Sequence, residues 1–175
     1  KKWFKSGLPQ LDMAVGFGLP LGRIVEIAGN KASGKTTLAL TIIRSAQEQK
    51  LKCLYVDTEG KLDFEYAEKL GVNLEKLIVS ETDIGEAVVD DILNTLDKVD
   101  VVLLDSIDGL VPRAILEATA NQQTMGAQAR LVAKLIRKAK GEVLKNDICF
   151  ILLNQFRVDF FTGQMKTSGG LAPGY

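Results

Sequence analysis

The stretch RIVEIAGNKASGKTTLAL, residues 23–40, decides the fold predicted for this 175-residue chain. The apolar run RIVEIAG is typical of a buried strand, and residues 36–49 have the periodicity of a helix. Between them lies the pattern G-x-x-x-x-G-K-[ST], whose glycines permit backbone angles that other residues resist. The N–H groups of such a loop converge on phosphate oxygens, next to a helix N-terminus. The stretch therefore predicts a nucleotide phosphate site between a strand and a helix.

Nine consecutive residues, here named the phosphate loop, make up this predicted site: Gly29, Asn30, Lys31, Ala32, Ser33, Gly34, Lys35, Thr36 and Thr37. We expect the Lys35 ammonium group near the β and γ phosphates and the Thr36 hydroxyl on Mg²⁺. A second Mg²⁺ ligand is predicted at Asp105, which ends the apolar run VVLLD. In phosphate-binding folds of this kind, a carboxylate at the end of a strand anchors the metal. The alternative is an Asp that only starts a turn.

Hydrolysis at such a site needs a group that orients a water molecule. Glu59 lies just after LYVDT, at the predicted carboxyl end of a strand, where it could polarise the attacking water. Asp57 is the competing candidate, and we expect it to be structural.

Apolar runs alternate with helical patterns along the chain. Strands are predicted at residues 23–29, 52–58, 77–80, 101–105 and 148–154, and helices at residues 36–49, 63–70, 84–96 and 127–144. Short strands without polar alternation indicate an α/β fold with a mainly parallel sheet flanked by helices. Such sheets bind ligands at the carboxyl ends of their strands. We expect one domain over residues 1–175.

Composition excludes some classes of chemistry. The chain contains no histidine, which removes histidine acid–base catalysis and histidine metal ligands. The 22 basic and 22 acidic residues cancel, so net charge suggests no partner. Cys53 and Cys149 sit in apolar runs and are expected to be buried and reduced. With neither a membrane-spanning run nor a signal peptide in view, a cytoplasmic protein is expected.

Charge is nevertheless segregated along the chain. Residues 81–108 contain nine acidic side chains and one basic side chain, whereas residues 125–145 contain six basic and one acidic. In the predicted helix from residue 127, one face carries four cations: Arg130, Lys134, Arg137 and Lys138. The opposite face is apolar. This basic face is either a solvated surface or a contact for nucleic acid.

Several segments together resemble the RecA family of DNA recombinases, nearly from end to end. These segments are LPLGRIVEIAGNKASGKTTLAL, LYVDTEGKLDFEYAEKLGV, DVVLLDSIDGLVPRAILE, MGAQAR and ILLNQFR followed by a glycine-rich stretch. The phosphate loop alone occurs in many folds, but the ordered set is specific. The resemblance implies a RecA-like ATPase core that uses ATP and Mg²⁺.

The resemblance also implies roles for individual residues. Glu59 would be the catalytic base or water-positioning residue. Gln155 would sense the γ-phosphate, and Asp63 and Tyr66 would contact the adenine. The residues implied along the DNA path are Met125, Arg130, Arg137, Arg157, Gly169 and Gly170. Residues 156–170, FRVDFFTGQMKTSGG, would form a mobile DNA-binding loop.

Three phenylalanines stand out in that segment. We expect Phe156 to belong to the core. Phe160 and Phe161 either pack locally or against a neighbouring subunit, or they stack on bases, which is worth roughly 1–3 kcal/mol per base. The glycines that flank them would leave the loop mobile.

The implied function is an ATP-dependent recombinase that forms a helical filament on single-stranded DNA and pairs it with a homologous duplex. The alternatives are a ring-forming DNA helicase or translocase and an ATP-binding accessory or loader protein. The second loop is shorter than in bacterial members, which leaves a bacteriophage or other divergent member plausible. From the resemblance we expect the family's N-terminal polymerisation helix to be absent or reduced to KKWFKSG. We likewise expect this chain to lack the family's later basic residues, and so to bind ATP but hydrolyse it poorly on its own.

Overall fold

The computed structural model of the chain describes residues 2–82, 84–117, 126–158 and 165–167. Its strands are β1 (Trp3–Phe4), β2 (Leu19–Pro20), β3 (Arg23–Gly29), β4 (Cys53–Asp57), β5 (Leu77–Glu81), β6 (Val101–Asp105), β7 (Cys149–Val158) and β8 (Met165–Thr167). Its helices are α1 (Pro9–Val15), α2 (Lys35–Glu48), α3 (Phe64–Lys69), α4 (Gly85–Thr95), α5 (Arg113–Leu116) and α6 (Ala127–Lys145). Two 3₁₀ turns lie at Leu74–Lys76 and Ile107–Gly109.

Five strands form a parallel sheet in the order β3-β7-β6-β4-β5. The three inner strands are covered on both faces, which explains why their sequences are continuous apolar runs. β1 and β2 form a separate antiparallel pair. The predicted α/β fold with a mainly parallel sheet flanked by helices is confirmed.

Alternate residues of the inner strands face two different cores, since side chains in a strand alternate between faces. On one face, Leu54, Leu104 and Phe150 pack with α4 and α6. On the other, Leu103 and Ile151 pack with α2. The two cores pack against the two faces of the sheet and so fix the carboxyl ends of its strands relative to one another.

The last strand is longer than the sequence predicted. β7 continues to Val158, and its final residues pair antiparallel with β8, with Phe156 opposite Thr167. Part of the loop predicted over residues 156–170 is therefore a strand pair. Parallel pairing with β3 ends where Gly29 meets Gln155, so from that point β7 has left the layered sheet. For this reason the expectation that Phe156 belongs to the core is wrong: its exposed fraction is 40%.

Cys53 and Cys149 are buried and unpaired with each other, as expected. Burial raises the pKa of each thiol to about 12. Among the helices of the described ranges, none combines the length and the apolar character that crossing a membrane requires.

Candidate nucleotide-binding site

The carboxyl edge of the sheet carries a cleft of about 390 Å³ between the phosphate loop and the ends of β4, β6 and β7. The lining residues are Lys31, Ala32, Ser33, Gly34, Lys35, Thr36, Thr37, Tyr55, Asp57, Glu59, Lys61, Leu62, Asp105, Ser106 and Gln155. The parallel register places Asp57 beside Asp105 and Gly29 beside Gln155. Segments far apart in the chain thus meet at one site.

The phosphate loop has the backbone that its glycines predict. Gly34 immediately precedes α2 with a φ of 84°, a left-handed conformation that favours glycine. At Gly29 a Cβ atom would lie 2.8 Å from Ser33 Oγ, so no larger residue fits without a shift. The Lys35 ammonium group donates to the carbonyl oxygens of Gly29 (3.0 Å) and Asn30 (2.7 Å). The loop therefore curls around a cation and leads into a 14-residue helix, whose N-terminal N–H groups favour an anion.

The two predicted metal ligands meet at the foot of this loop. Thr36 Oγ1 donates to Asp105 Oδ2 over 2.8 Å, and Tyr55 Oη donates to the same oxygen over 2.7 Å. Burial raises the pKa of Asp105, and these two hydrogen bonds oppose the rise by stabilising the carboxylate. Mg²⁺ prefers oxygen ligands and takes one or two from the protein, with phosphate oxygens and water completing the set. The Thr36 hydroxyl and Asp105 carboxylate fit that requirement.

Glu59 also faces the cleft. One carboxylate oxygen accepts from Ser106 Oγ over 3.1 Å, and the other accepts from the Lys61 ammonium group. The hydrogen bond from Lys61 is the largest cause of a lowered pKa for Glu59. Glu59 is therefore an ionised acceptor at neutral pH and can take a hydrogen bond from water. Its catalytic role stays a prediction.

Asp57, the competing candidate, is held inside the turn that follows β4. Its two carboxylate oxygens accept from the backbone N–H groups of Glu59 (3.0 Å) and Leu62 (2.7 Å). Because the side chain is buried and both oxygens are engaged, Asp57 shapes the loop that carries Glu59. These two hydrogen bonds support the expectation that Asp57 is structural, and that role stays a prediction.

A second set of bonds joins the ends of β4 and β6. Thr58 Oγ1 donates to the Ser106 carbonyl over 2.8 Å and accepts the Ser106 N–H over 2.9 Å. Both residues are buried, and the peptide bond between Asp105 and Ser106 is cis. At this junction the two hydrogen bonds hold Thr58, which precedes Glu59, against Ser106, which follows the predicted metal ligand Asp105.

Gln155 lines the cleft at the point where β7 leaves the parallel sheet. Its backbone N–H donates to Asn154 Oδ1 over 2.8 Å. The amide nitrogen of the buried Asn154 side chain in turn donates to Glu26 Oε1 over 2.6 Å. The position of Gln155 is thus supported from β3, and Gln155 itself lines the cleft.

The predicted adenine contacts lie beside the cleft rather than in its lining. Asp63 caps α3 by accepting the Tyr66 N–H over 2.9 Å. Tyr66 Oη lies 3.0 Å from Thr37 Oγ1, which attaches α3 to the phosphate loop. Contact of either residue with adenine stays a prediction.

Sequence reasoning assigned no function to three polar side chains of the cleft: Tyr55, Lys61 and Ser106. Tyr55 lies inside an apolar strand, where nothing in the sequence separates it from a core aromatic residue. Lys61 follows Glu59 by two positions, and that spacing was the available signal.

The basic face of α6 is present as predicted. Arg130, Lys134, Arg137 and Lys138 are exposed, whereas Leu131, Val132, Leu135, Ala139 and Val143 are buried. Met125, Phe160, Phe161, Gly169, Gly170 and the side chain of Arg157 lie outside the described residues. Contact with DNA stays a prediction for all of them.

The sequence of the chain is similar to one family of known proteins over almost its whole length. The family model of the RecA N-terminal domain matches residues 2–174. Proteins named Protein RecA from Marinobacter nauticus and Pseudomonas putida are each 44% identical to the chain over 173 residues, and that from Colwellia psychrerythraea is 41% identical. Each alignment covers 95% of this chain and about 50% of the relative. The chain thus spans about half the length of the curated relatives it matches.

Proposed function

This chain belongs to the RecA family, and from that membership we propose that it is the ATPase core of a recombinase that forms filaments on single-stranded DNA. The observation that carries the proposal is that the phosphate loop, the Thr36–Asp105 pair and the Glu59 carboxylate all line the same cleft. Phosphate binding, metal binding and water orientation are the three tasks of nucleotide hydrolysis.

In the proposed reaction, the backbone N–H groups of the phosphate loop and the Lys35 ammonium group bind the phosphates of ATP. Thr36 and Asp105 would hold Mg²⁺, which neutralises charge on the transferring phosphoryl group when bound. Glu59 accepts a hydrogen bond from the attacking water and directs the water oxygen at the terminal phosphorus atom. The Ser106 hydroxyl donates a hydrogen bond to one oxygen of Glu59 and so restricts the orientation of the carboxylate.

Gln155 would connect the nucleotide to DNA. It lines the cleft, and the next residue of the chain, Phe156, pairs with β8 outside the layered sheet. Contact between the Gln155 amide and the terminal phosphate would therefore be transmitted directly into residues 156–170. Ordering a segment through a terminal phosphate is a known kind of nucleotide switch.

DNA binding is proposed for residues 156–170 and for the exposed basic face of α6. A filament that matches sequences by base pairing needs only backbone contacts from the protein, and arginine and lysine side chains supply them. The natural partners would be single-stranded DNA, a homologous duplex and further copies of the same chain.

The test uses the full-length protein, because the relatives that match this chain are about twice as long as it is. We expect single-stranded DNA to stimulate ATP turnover, and ATP to support exchange of strands with a homologous duplex. Glu59→Gln should retain ATP and DNA binding and lose roughly 10²- to 10⁴-fold in turnover, as removal of a positioned base does. Unimpaired turnover would remove Glu59 from this role. Electron microscopy with DNA would show filaments, and closed rings in their place would favour a helicase or translocase.

A further inference from the structure

Lys61 is a lysine of the cleft to which no role has yet been assigned. It lies on the turn after β4, two residues beyond Glu59, and lines the same cleft as Lys31 and Lys35. Its side chain is 73% exposed and its ammonium group pairs with the Glu59 carboxylate. Packing therefore does not hold the side chain in place, and its position follows from charge.

An isolated ion pair with this exposure would contribute little to stability. The surroundings of Lys61 are different, because its ammonium group is attracted by Asp57 and Asp105 as well as by Glu59. Three carboxylates thus converge on the place where a nucleotide's phosphates would bring further negative charge. Cations are needed there if a triphosphate is to bind well.

The other lysines of the cleft have different positions. Lys35 donates to the carbonyl oxygens of Gly29 and Asn30, at the start of the phosphate loop. Lys31 belongs to the loop itself. Lys61 lies outside the phosphate loop, on the turn that also carries Glu59, the residue proposed to direct the attacking water.

We propose that Lys61 binds the terminal phosphate of the nucleotide from within the same chain, and that its ion pair positions Glu59 beside that phosphate. The inference rests on the proposed function. It makes Lys61 a determinant of the preference for a triphosphate over a diphosphate. If the Lys61 ammonium group contacts both the Glu59 carboxylate and the terminal phosphate, it also places Glu59 next to the water that attacks that phosphate.

The experiment measures the Kd values of the chain for ATP and ADP, each with Mg²⁺, by isothermal titration calorimetry. Lys61→Met removes the charge and keeps most of the length of the side chain. We expect it to weaken ATP about tenfold, as loss of a charge-assisted hydrogen bond does, and to leave the Kd for ADP within about twofold. Lys61→Arg should retain most of the preference for ATP.

Lys69→Met is the matched control. Lys69 is equally exposed, at 75%, and forms an ion pair with Glu65 on α3, away from the cleft lining. It should leave both Kd values unchanged. In a Glu59→Gln background, Lys61→Met should still weaken ATP binding relative to Glu59→Gln alone, because the proposed contact is with the phosphate and Asp57 and Asp105 still attract the Lys61 ammonium group.

The outcomes separate the two proposals. If the unaltered chain binds neither nucleotide, the proposed ATPase function is wrong. If it binds ATP and Lys61→Met weakens both nucleotides equally, or neither, the function stands and the role of Lys61 is wrong. A loss that disappears in the Glu59→Gln background would also overturn direct contact with the phosphate.

Discussion

Gly109 lies against Thr58 and Glu59, beside the junction between the ends of β4 and β6, so its replacement by alanine tests how firmly that junction holds Glu59. A Cβ atom at this position would lie 2.2 Å from Thr58 Oγ1 and 2.9 Å from Glu59 Cγ. Thr58 cannot simply rotate away, because its hydroxyl bonds both the N–H and the carbonyl of the buried Ser106. Gly109→Ala must therefore displace the junction or break its hydrogen bonds.

The expected cost follows from these contacts. Overpacking in a well-packed interior typically costs about 1–3 kcal/mol. If Thr58 gives way, the buried Ser106 N–H loses its acceptor, which costs about 1–3 kcal/mol by itself. Whether the junction is overpacked or the Ser106 N–H loses its acceptor, we expect Gly109→Ala to lower the free energy of unfolding by about 2–3 kcal/mol.

Gly141→Ala provides the matched control. Gly141 lies within α6, and nothing lies within 4 Å of the place where its Cβ atom would be. Alanine is favoured over glycine inside a helix, so this variant should gain about 0.5–1 kcal/mol. The same chemical change thus has opposite expected signs at the two positions.

The assay is urea unfolding of both variants, compared at equal m values so that the difference reports stability. In the full-length protein, Gly109→Ala should also lower ATP turnover, because a displaced Glu59 no longer directs water at the phosphate. If Gly109→Ala unfolds within about 0.5 kcal/mol of the unaltered protein and turns over ATP normally, the junction does not fix Glu59 as the distances imply.

Three further outcomes are expected. Gln155→Ala should bind ATP nearly as well as the unaltered protein while ATP no longer raises affinity for single-stranded DNA; normal enhancement would refute the switch. Single-strand affinity should fall with salt at a log–log slope of about −0.7 per phosphate neutralised, and a flat response would count against the basic face of α6. Near pH 9.0, the ordinary pKa of a thiol, Cys53 and Cys149 should resist a disulfide reagent in the native protein and react in denaturant. Because their folded pKa of about 12 exceeds the unfolded value, their contribution to stability is present below about pH 9 and declines as pH rises toward 12. Rapid native labelling would contradict the burial.

The bounds of the predicted strands and helices agree with the structure to within one or two residues, because strands buried on both faces and amphipathic helices have distinct periodicities. Among these predicted elements the exception is the end of β7, where periodicity carried no information. Five short elements, β1, β2, α1, α5 and β8, lie outside the stretches for which the sequence predicts a strand or helix. Phe156 looks like one more apolar residue of a core strand, yet the parallel pairing of β7 with β3 has already ended one residue earlier, at Gln155 opposite Gly29. Whether a strand residue is buried depends on its neighbours in the sheet, which are distant in the chain.

By itself, the sequence determined the parallel α/β architecture, the phosphate loop and the two faces of α6, since each depends on contiguous residues or on a regular period. Only the tertiary structure decided how the rest of the site is built. Tyr55 and Asp105 are 50 positions apart and meet because β4 and β6 pair with Asp57 opposite Asp105. The same pairing brings Ser106 to Glu59, and the turn after β4 brings Lys61 to the same carboxylate. Register between strands is a long-range property, and no local pattern specifies it.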